Sequence, residues 1–282
     1  MDTVTKQVRA VARLAQGMPA SDGDGVKLTR VIGTPRLGDV DPFLLLDEFR
    51  SADGADYVGG FPDHPHRGFE TVTIMLAGRM RHHDNKGNSG LLTAGSVQWM
   101  TAGRGIVHSE MPEQEKGLMW GFQLWVNLPK KDKMIAPRYQ DIAPDAIPVV
   151  EDGGATVRVL AGKFGPAQAA VRDIVTDPLL LDVSLGAGAK LYIGVPTKHA
   201  AFLYPFEGSV GVGEAVREVP RGTAAVLSEG DTIELEGLKS PSRILVAAAR
   251  PLGEPVARYG PFVMNTQEEL RDAFADYQAG KF

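Results

Sequence analysis

The chain has 282 residues, 43% hydrophobic and 23% charged, with a formal net charge of -5 and a pI near 5.7. That is the composition of a globular protein with room for about two domains of roughly 150 residues, and it excludes the strongly basic footprint of a nucleic-acid binder. Cysteine is absent, which excludes disulfides, thiolate metal sites and cysteine nucleophiles, so any metal must be held by His, Asp or Glu.

Met1 to Ala20 carries Lys6, Arg9 and Arg13 among short apolar residues and lacks the continuous apolar run of a signal peptide. No stretch reaches the ~20 apolar residues of a membrane span. A cytoplasmic protein without membrane contact is expected. Thr3 to Leu14 alternates, with Val4, Val8, Ala10, Ala12 and Leu14 on one parity, and predicts a strand, with a short helix as the competing reading. Gly17 to Gly25 reads as a polar loop, Val26 to Ile32 as a strand, and Asp41 to Asp47 as a buried strand behind a Pro turn.

Thr71 to Leu76 continues a strand that holds His64 and His66 and stops at Ala77-Gly78. Arg79 to Asp84 forms the next strand, ahead of a hairpin signal at Asn85-Lys86-Gly87-Asn88. Val97 to Met100 and Val107-His108 flank the tight turn Gly103-Arg104-Gly105. Met119 to Leu128 alternates large residues, Trp120, Phe122, Leu124 and Val126, as a barrel-core strand would.

From Pro129 to Pro148, lysines and prolines mark a connecting segment, and a second β-rich series starts near Val157. Phe202 to Val210 echoes Val72 to Met80, an apolar strand, a Gly turn and a second strand, so a duplicated barrel is expected. The all-β chain then divides into a first barrel over residues 1–137 and a second over 138–282. A capping box at Thr266-Gln267-Glu268-Glu269, followed by Leu270, Ala273, Phe274 and Tyr277 at helical spacing, predicts a short C-terminal α-helix.

Two of the six histidines, His64 and His66, are separated by one residue, and His108 and Glu110 repeat that spacing. In a strand, residues i and i+2 share a face. Facing strands bring Cβ atoms within ~5 Å, so the two dyads can converge on one ion. Three imidazoles and one carboxylate suit Fe(II), Mn(II), Ni(II) or Zn(II). Glu70 has the parity of His64 and His66 and competes with Glu110 as the inward carboxylate. His82, sharing parity with Met80 and Asp84, is expected near the pocket, whereas His199 stands alone in the second half. The second barrel is expected to be metal-free, lined by Leu191, Ile193, Phe202 and Tyr204.

Four stretches, Asp41 to Phe49, His64 to Thr73, Gln98 to Pro112 and Gly260 to Thr266, resemble the pirin family of the cupin superfamily. The resemblance implies two tandem, jelly-roll-like cupin barrels with the metal in the first. It implies the ligand set His64, His66, His108 and Glu110. The general cupin motif would instead place the carboxylate at Glu70, and either glutamate could take a substrate proton. It also implies one divalent metal, Fe(II) foremost, with Mn, Ni, Zn or Cu as alternatives. The implied activity is that of a quercetin 2,3-dioxygenase acting on a small aromatic substrate with O2. The alternative it implies is a non-enzymatic, metal-dependent regulator that binds a protein partner as a transcription cofactor or enzyme modulator. A monomer is expected.

Overall fold

The computed structural model describes residues 6–282. The part of the first predicted strand at Thr3 to Thr5 lies outside them. Two compact units are present: Met18–Thr34 with Phe43–Pro144 and Leu252–Phe282, and the residues up to Gly17 with Pro35–Pro42 and Asp145–Pro251. A single cut at 137/138 therefore does not describe them. The strand Val11–Gln16 is hydrogen-bonded into the second unit, against Thr223–Leu227, and the tail from Leu252 belongs to the first.

Both units follow one plan, a seven-stranded sheet and a four-stranded sheet, as the internal echo predicted. In the first unit the large sheet runs in the order Arg138–Ile142, Val97–Thr101, Phe69–Ala77, Met119–Asn127, Phe43–Ser51, Val26–Ile32, Met18–Asp22. The small sheet runs Phe61–His66, Ile106–Pro112, Met80–Asp84, Ser89–Leu92. Every pairing in these sheets is antiparallel. The floor between the sheets is a cluster of Val26, Leu28, Phe49, Met75, Met80, Leu92 and Met119, removed from water by the alternation of each strand.

Several expectations change in detail. Gly17 to Gly25 is not a loop throughout, because Met18–Asp22 pairs with Val26–Ile32; as an exposed edge strand it carries no apolar alternation to betray it. In the first strand Arg9, Val11 and Ala15 are buried while Ala10 and Ala12 are exposed, and a register shift between Val11 and Arg13 breaks the expected parity. Arg9 is held there by five backbone carbonyls, those of Pro196, Thr197, His199, Ser228 and Gly230. Within the connecting segment, Arg138–Ile142 forms the edge strand of the large sheet.

The core of the second unit includes Leu181, Val183, Leu191, Ile193, Leu203, Ile233, Leu235 and Val246, all aliphatic. Leu203 takes the inward place there; Phe202 and Tyr204, expected inside, alternate away from it.

The helix Gln267–Gln278 opens on the predicted capping box: Glu269 N donates to Thr266 Oγ1 at 3.1 Å, and Thr266 N donates to Glu269 Oε2 at 3.0 Å. Leu270 and Ala273 are buried with Ala257, Phe262, Met264 and Phe282, in the first unit. The 138–282 division assigns this helix to the second barrel; it belongs to the first unit. Among the described residues, no helix is long and apolar enough to cross a membrane.

Candidate metal centre

The Phe61–His66 strand pairs with Ile106–Pro112 so that His108 stands opposite His64. A register shift follows, and Glu110 stands opposite Phe61. The three imidazoles His64, His66 and His108 converge: one ring nitrogen from each lies within 4.8 Å of the others. Ring centroids are 4.6 Å apart for His64 and His66, 4.4 Å for His64 and His108, and 5.1 Å for His66 and His108.

The nitrogen chemistry of this cluster fits a cation. His64 Nδ1 lies 2.8 Å from the Pro62 carbonyl, which can only accept, so Nδ1 carries a proton and the neutral ring would offer Nε2 to a cation. A ring contact to the Pro261 carbonyl orients His66 in the same way, leaving its buried Nδ1 without a partner. His108 is fully buried, and neither of its ring nitrogens has a hydrogen-bond partner. Burial, reinforced by the neighbouring imidazoles, holds His66 and His108 well below the ordinary histidine range. They are neutral donors at pH 7, as metal ligation requires. An unpaired buried imidazole nitrogen costs free energy that a bound ion would recover.

His64, His66 and Glu110 border a cavity of about 520 Å³. Its apolar wall includes Leu28, Leu45, Phe49, Phe61 and Trp125; its polar wall includes Gln123, Arg258 and an ion triad. In the triad Arg30 forks onto Asp47 at 2.9 and 2.7 Å and reaches Asp22 at 2.7 Å. Arg258 lies over the Trp125 ring at 4.7 Å. Trp125 and Gln123 occupy the parity of the Met119–Asn127 strand opposite to the large apolar residues expected to face the barrel interior; Phe122, Leu124 and Val126 are buried on the other face.

Glu110 is buried beside this cavity, although its oxygens are not among the atoms that converge within 4.8 Å. Thr73 Oγ1 donates to its Oε1 at 2.8 Å and Gln123 Nε2 donates to its Oε2 at 2.9 Å. Thr73 Oγ1 is also 2.8 Å from Gln123 Oε1, so three side chains form a closed ring.

Glu70 is not part of the site. Pairing from Glu70 with Thr101 to Ile74 with Val97 is regular, so Thr73 and Glu70 face opposite ways. Thr73 points at Glu110. Glu70 lies on the other face, where Thr101 Oγ1 donates to it at 2.7 Å and burial pushes its carboxyl up to about 7. The parity count failed at the Arg67-Gly68 turn, where Gly68 adopts a φ of 89° and ends one strand before the next begins.

His82 does point inward, directly across from Glu110, while His83 is exposed. Its Nε2 lies 2.8 Å from Asp141 Oδ2, and its ring is stacked on Tyr139 with centroids 5.1 Å apart. Gln98 Nε2 donates to the other Asp141 oxygen at 2.9 Å. Sequence reading passed over Thr73, Gln123, Tyr139 and Asp141. The only signal for the last two was a short alternation, Tyr139, Asp141, between Pro137 and Pro144. His199 sits in a loop outside the aliphatic core of the second unit, 3.7 Å from Asp177 Oδ2. Among the described residues, the only group of three or more metal-binding side chains is the histidine triad.

A family model described as Pirin matches residues 25–126, and one described as Pirin C-terminal cupin domain matches residues 180–282. The chain belongs to the pirin family. A pirin-like protein of Caulobacter vibrioides is 50% identical over 277 residues, covering 98% of this chain and 99% of that one. Human pirin is 43% identical over 266 residues, covering 93% of this chain and 89% of its own. A crystal structure described as quercetin 2,3-dioxygenase from Acinetobacter baumannii superposes with a TM-score of 0.89 at 36% identity, covering 98% of both chains. The two barrels are thus the two cupin domains of a bicupin. The C-terminal pirin match extends through the tail, which the structure packs into the first barrel.

Proposed function

We propose that this pirin-family chain is a metal-dependent dioxygenase of the quercetinase type. One divalent ion, iron(II) foremost, would be held by His64, His66 and His108, with Glu110 as the carboxylate of the site. The substrate would be a flavonol or a similar aromatic enol, and O2 would be the oxidant, with loss of one ring carbon as carbon monoxide. The observation that carries this reading is the convergence of three imidazoles, the half-buried His64 with the buried His66 and His108, the last two with unpartnered ring nitrogens, beside a 520 Å³ cavity walled by aromatic rings. The size and mixed lining suit a ligand of small-molecule dimensions. The 36% identical structure described as a quercetin 2,3-dioxygenase supports the substrate class.

When bound, the ion supplies Lewis acidity toward the enol oxygens and a redox-capable partner for O2. The chain's own residues do the rest. Phe49, Phe61 and Trp125 exclude water and hold a planar ring system between them. Glu110 takes the enol proton. Its ring of partners suits both of its states. Ionised, it accepts from Thr73 and Gln123. Protonated on Oε1, it donates to Thr73 Oγ1, and the single Thr73 proton turns to Gln123 Oε1. No hydrogen bond of the ring is lost when the proton arrives, which keeps the reorganisation cost low.

The test is turnover of quercetin under air by metal-loaded protein, following flavonol and oxygen together. Equal consumption of both supports the enzyme. Metal uptake with neither consumed is what a non-enzymatic, metal-dependent regulatory protein would give.

A further inference from the structure

We propose that the tail segment Leu252–Phe282 is a working part of the metal centre, with Arg67 and Phe282 as positioning residues for His66 and His108; this rests on the metal reading above. Both histidines leave tight turns. His66 is followed by Arg67-Gly68, and His108 is preceded by Gly103-Arg104-Gly105. The turns interlock through their backbones: Gly68 N donates to the Gly103 carbonyl at 2.8 Å, and Ala102 N donates to the Phe69 carbonyl at 3.0 Å.

The tail closes over this junction. The Pro261 carbonyl meets the His66 ring and also accepts from Arg67 N at 3.4 Å, while Val263 N donates to the Arg67 carbonyl at 3.0 Å. Gly68 lies so near the tail that a Cβ there would stand 2.0 Å from the Val263 carbonyl oxygen. Arg67, 4% exposed, ties three segments with one guanidinium. Its Nε donates to the Arg104 carbonyl at 2.5 Å, its Nη1 to Asp276 Oδ2 at 3.0 Å, and its face lies over the Phe282 ring at 4.4 Å. The Phe282 ring in turn presses on Gly105, where a Cβ would stand 2.8 Å from it.

Backbone and side-chain groups that orient ligating imidazoles determine metal affinity nearly as much as the ligands do, with losses of about 10–100-fold when they are removed. Ligand rings whose turns are gripped from one side by Arg67 and Phe282 cannot drift apart without breaking several contacts together. Lysine at 67 can keep the charge but not the fork and the stacked plane.

The experiment loads wild type and variants with Co(II), records the visible ligand-field spectrum, and follows chelator-driven release. Arg67→Lys and Phe282→Ala should release the ion about tenfold faster and change the spectrum, and Phe282→Tyr, which keeps the ring, should restore both. Leu270→Ala, a buried helix position in the same apolar cluster as Phe282 but in neither turn, serves as the control for lost stability. If Leu270→Ala accelerates release as much as Phe282→Ala at equal loss of stability, positioning is overturned. Unchanged release in Arg67→Lys and Phe282→Ala also overturns it while leaving the metal site intact. A wild-type chain that takes up no cobalt overturns the metal reading and this proposal with it.

Discussion

The Thr73 hydroxyl stands 2.8 Å from Glu110 Oε1, reaching from the large sheet to the small one. It is the only hydroxyl in the ring around that carboxylate. Thr73→Val keeps the shape and removes the proton carrier. Turnover should fall by about 10–100-fold, with the far-UV spectrum unchanged. Full activity in this variant would dissociate Thr73 from the chemistry.

The two glutamates are separable by metal titration. Glu110→Gln should weaken binding at least ~10-fold if its carboxylate completes the site. Glu70→Gln should leave binding at the wild-type value, since Glu70 faces away from the histidines. A stronger loss in Glu70→Gln would restore the general cupin pattern and contradict the strand register.

Glu70 should show itself in stability. Its folded pKa is pushed up to about 7 by burial, above the ~4.3 of an exposed glutamate. Between those values the folded state holds a proton that the unfolded chain has released, so stability from this group is full below ~4.3 and is lost as pH rises through 7. The ceiling is about 4 kcal/mol. Urea denaturation at pH 5.5 and pH 8 should show a smaller decline in Glu70→Gln than in wild type. Parallel declines would count against a buried, protonated Glu70.

For the ligands the sign is opposite. Burial depresses His66 and His108, so their contribution to stability is present above the unfolded value of ~6.5 and is lost as pH falls through the lower folded values. Metal occupancy should therefore persist below pH 6.5. Metal content measured after stepwise acidification checks this, and half-release at or above 6.5 would contradict it. His108→Ala should empty the site in a folded protein, and His199→Ala should leave metal content unchanged.

The helix offers a packing test. Leu270 is 3% exposed, and Leu270→Ala should cost about 2–5 kcal/mol. Phe274 is only half-buried, edge-on to Phe262 at 4.7 Å. Its replacement by Ala should cost roughly 1–2 kcal/mol, below the range for a fully buried ring. Chemical denaturation of both variants decides the order.

Sequence alone determined the local features: short strands punctuated by Gly turns, the duplicated barrel, the capped helix, and the histidine pairs. Each follows from rules that act within a few residues, such as alternation of side chains or the φ freedom of Gly. His64, His66 and His108 were legible because i, i+2 spacing survives within one strand. Tertiary structure decided what crosses turns and sheets. The parity that favoured Glu70 did not survive the Arg67-Gly68 turn. The partners of Glu110 come from strands carrying Thr73 and Gln123, whose polarity looked incidental in an apolar run. Asp141 reached His82 through an edge strand hidden in a connecting segment. The exchange of termini between units was invisible for the same reason, because strand pairing such as Val11 with Leu227, or the seat of Phe282 on Gly105, depends on distance in space and leaves no periodic trace along the chain.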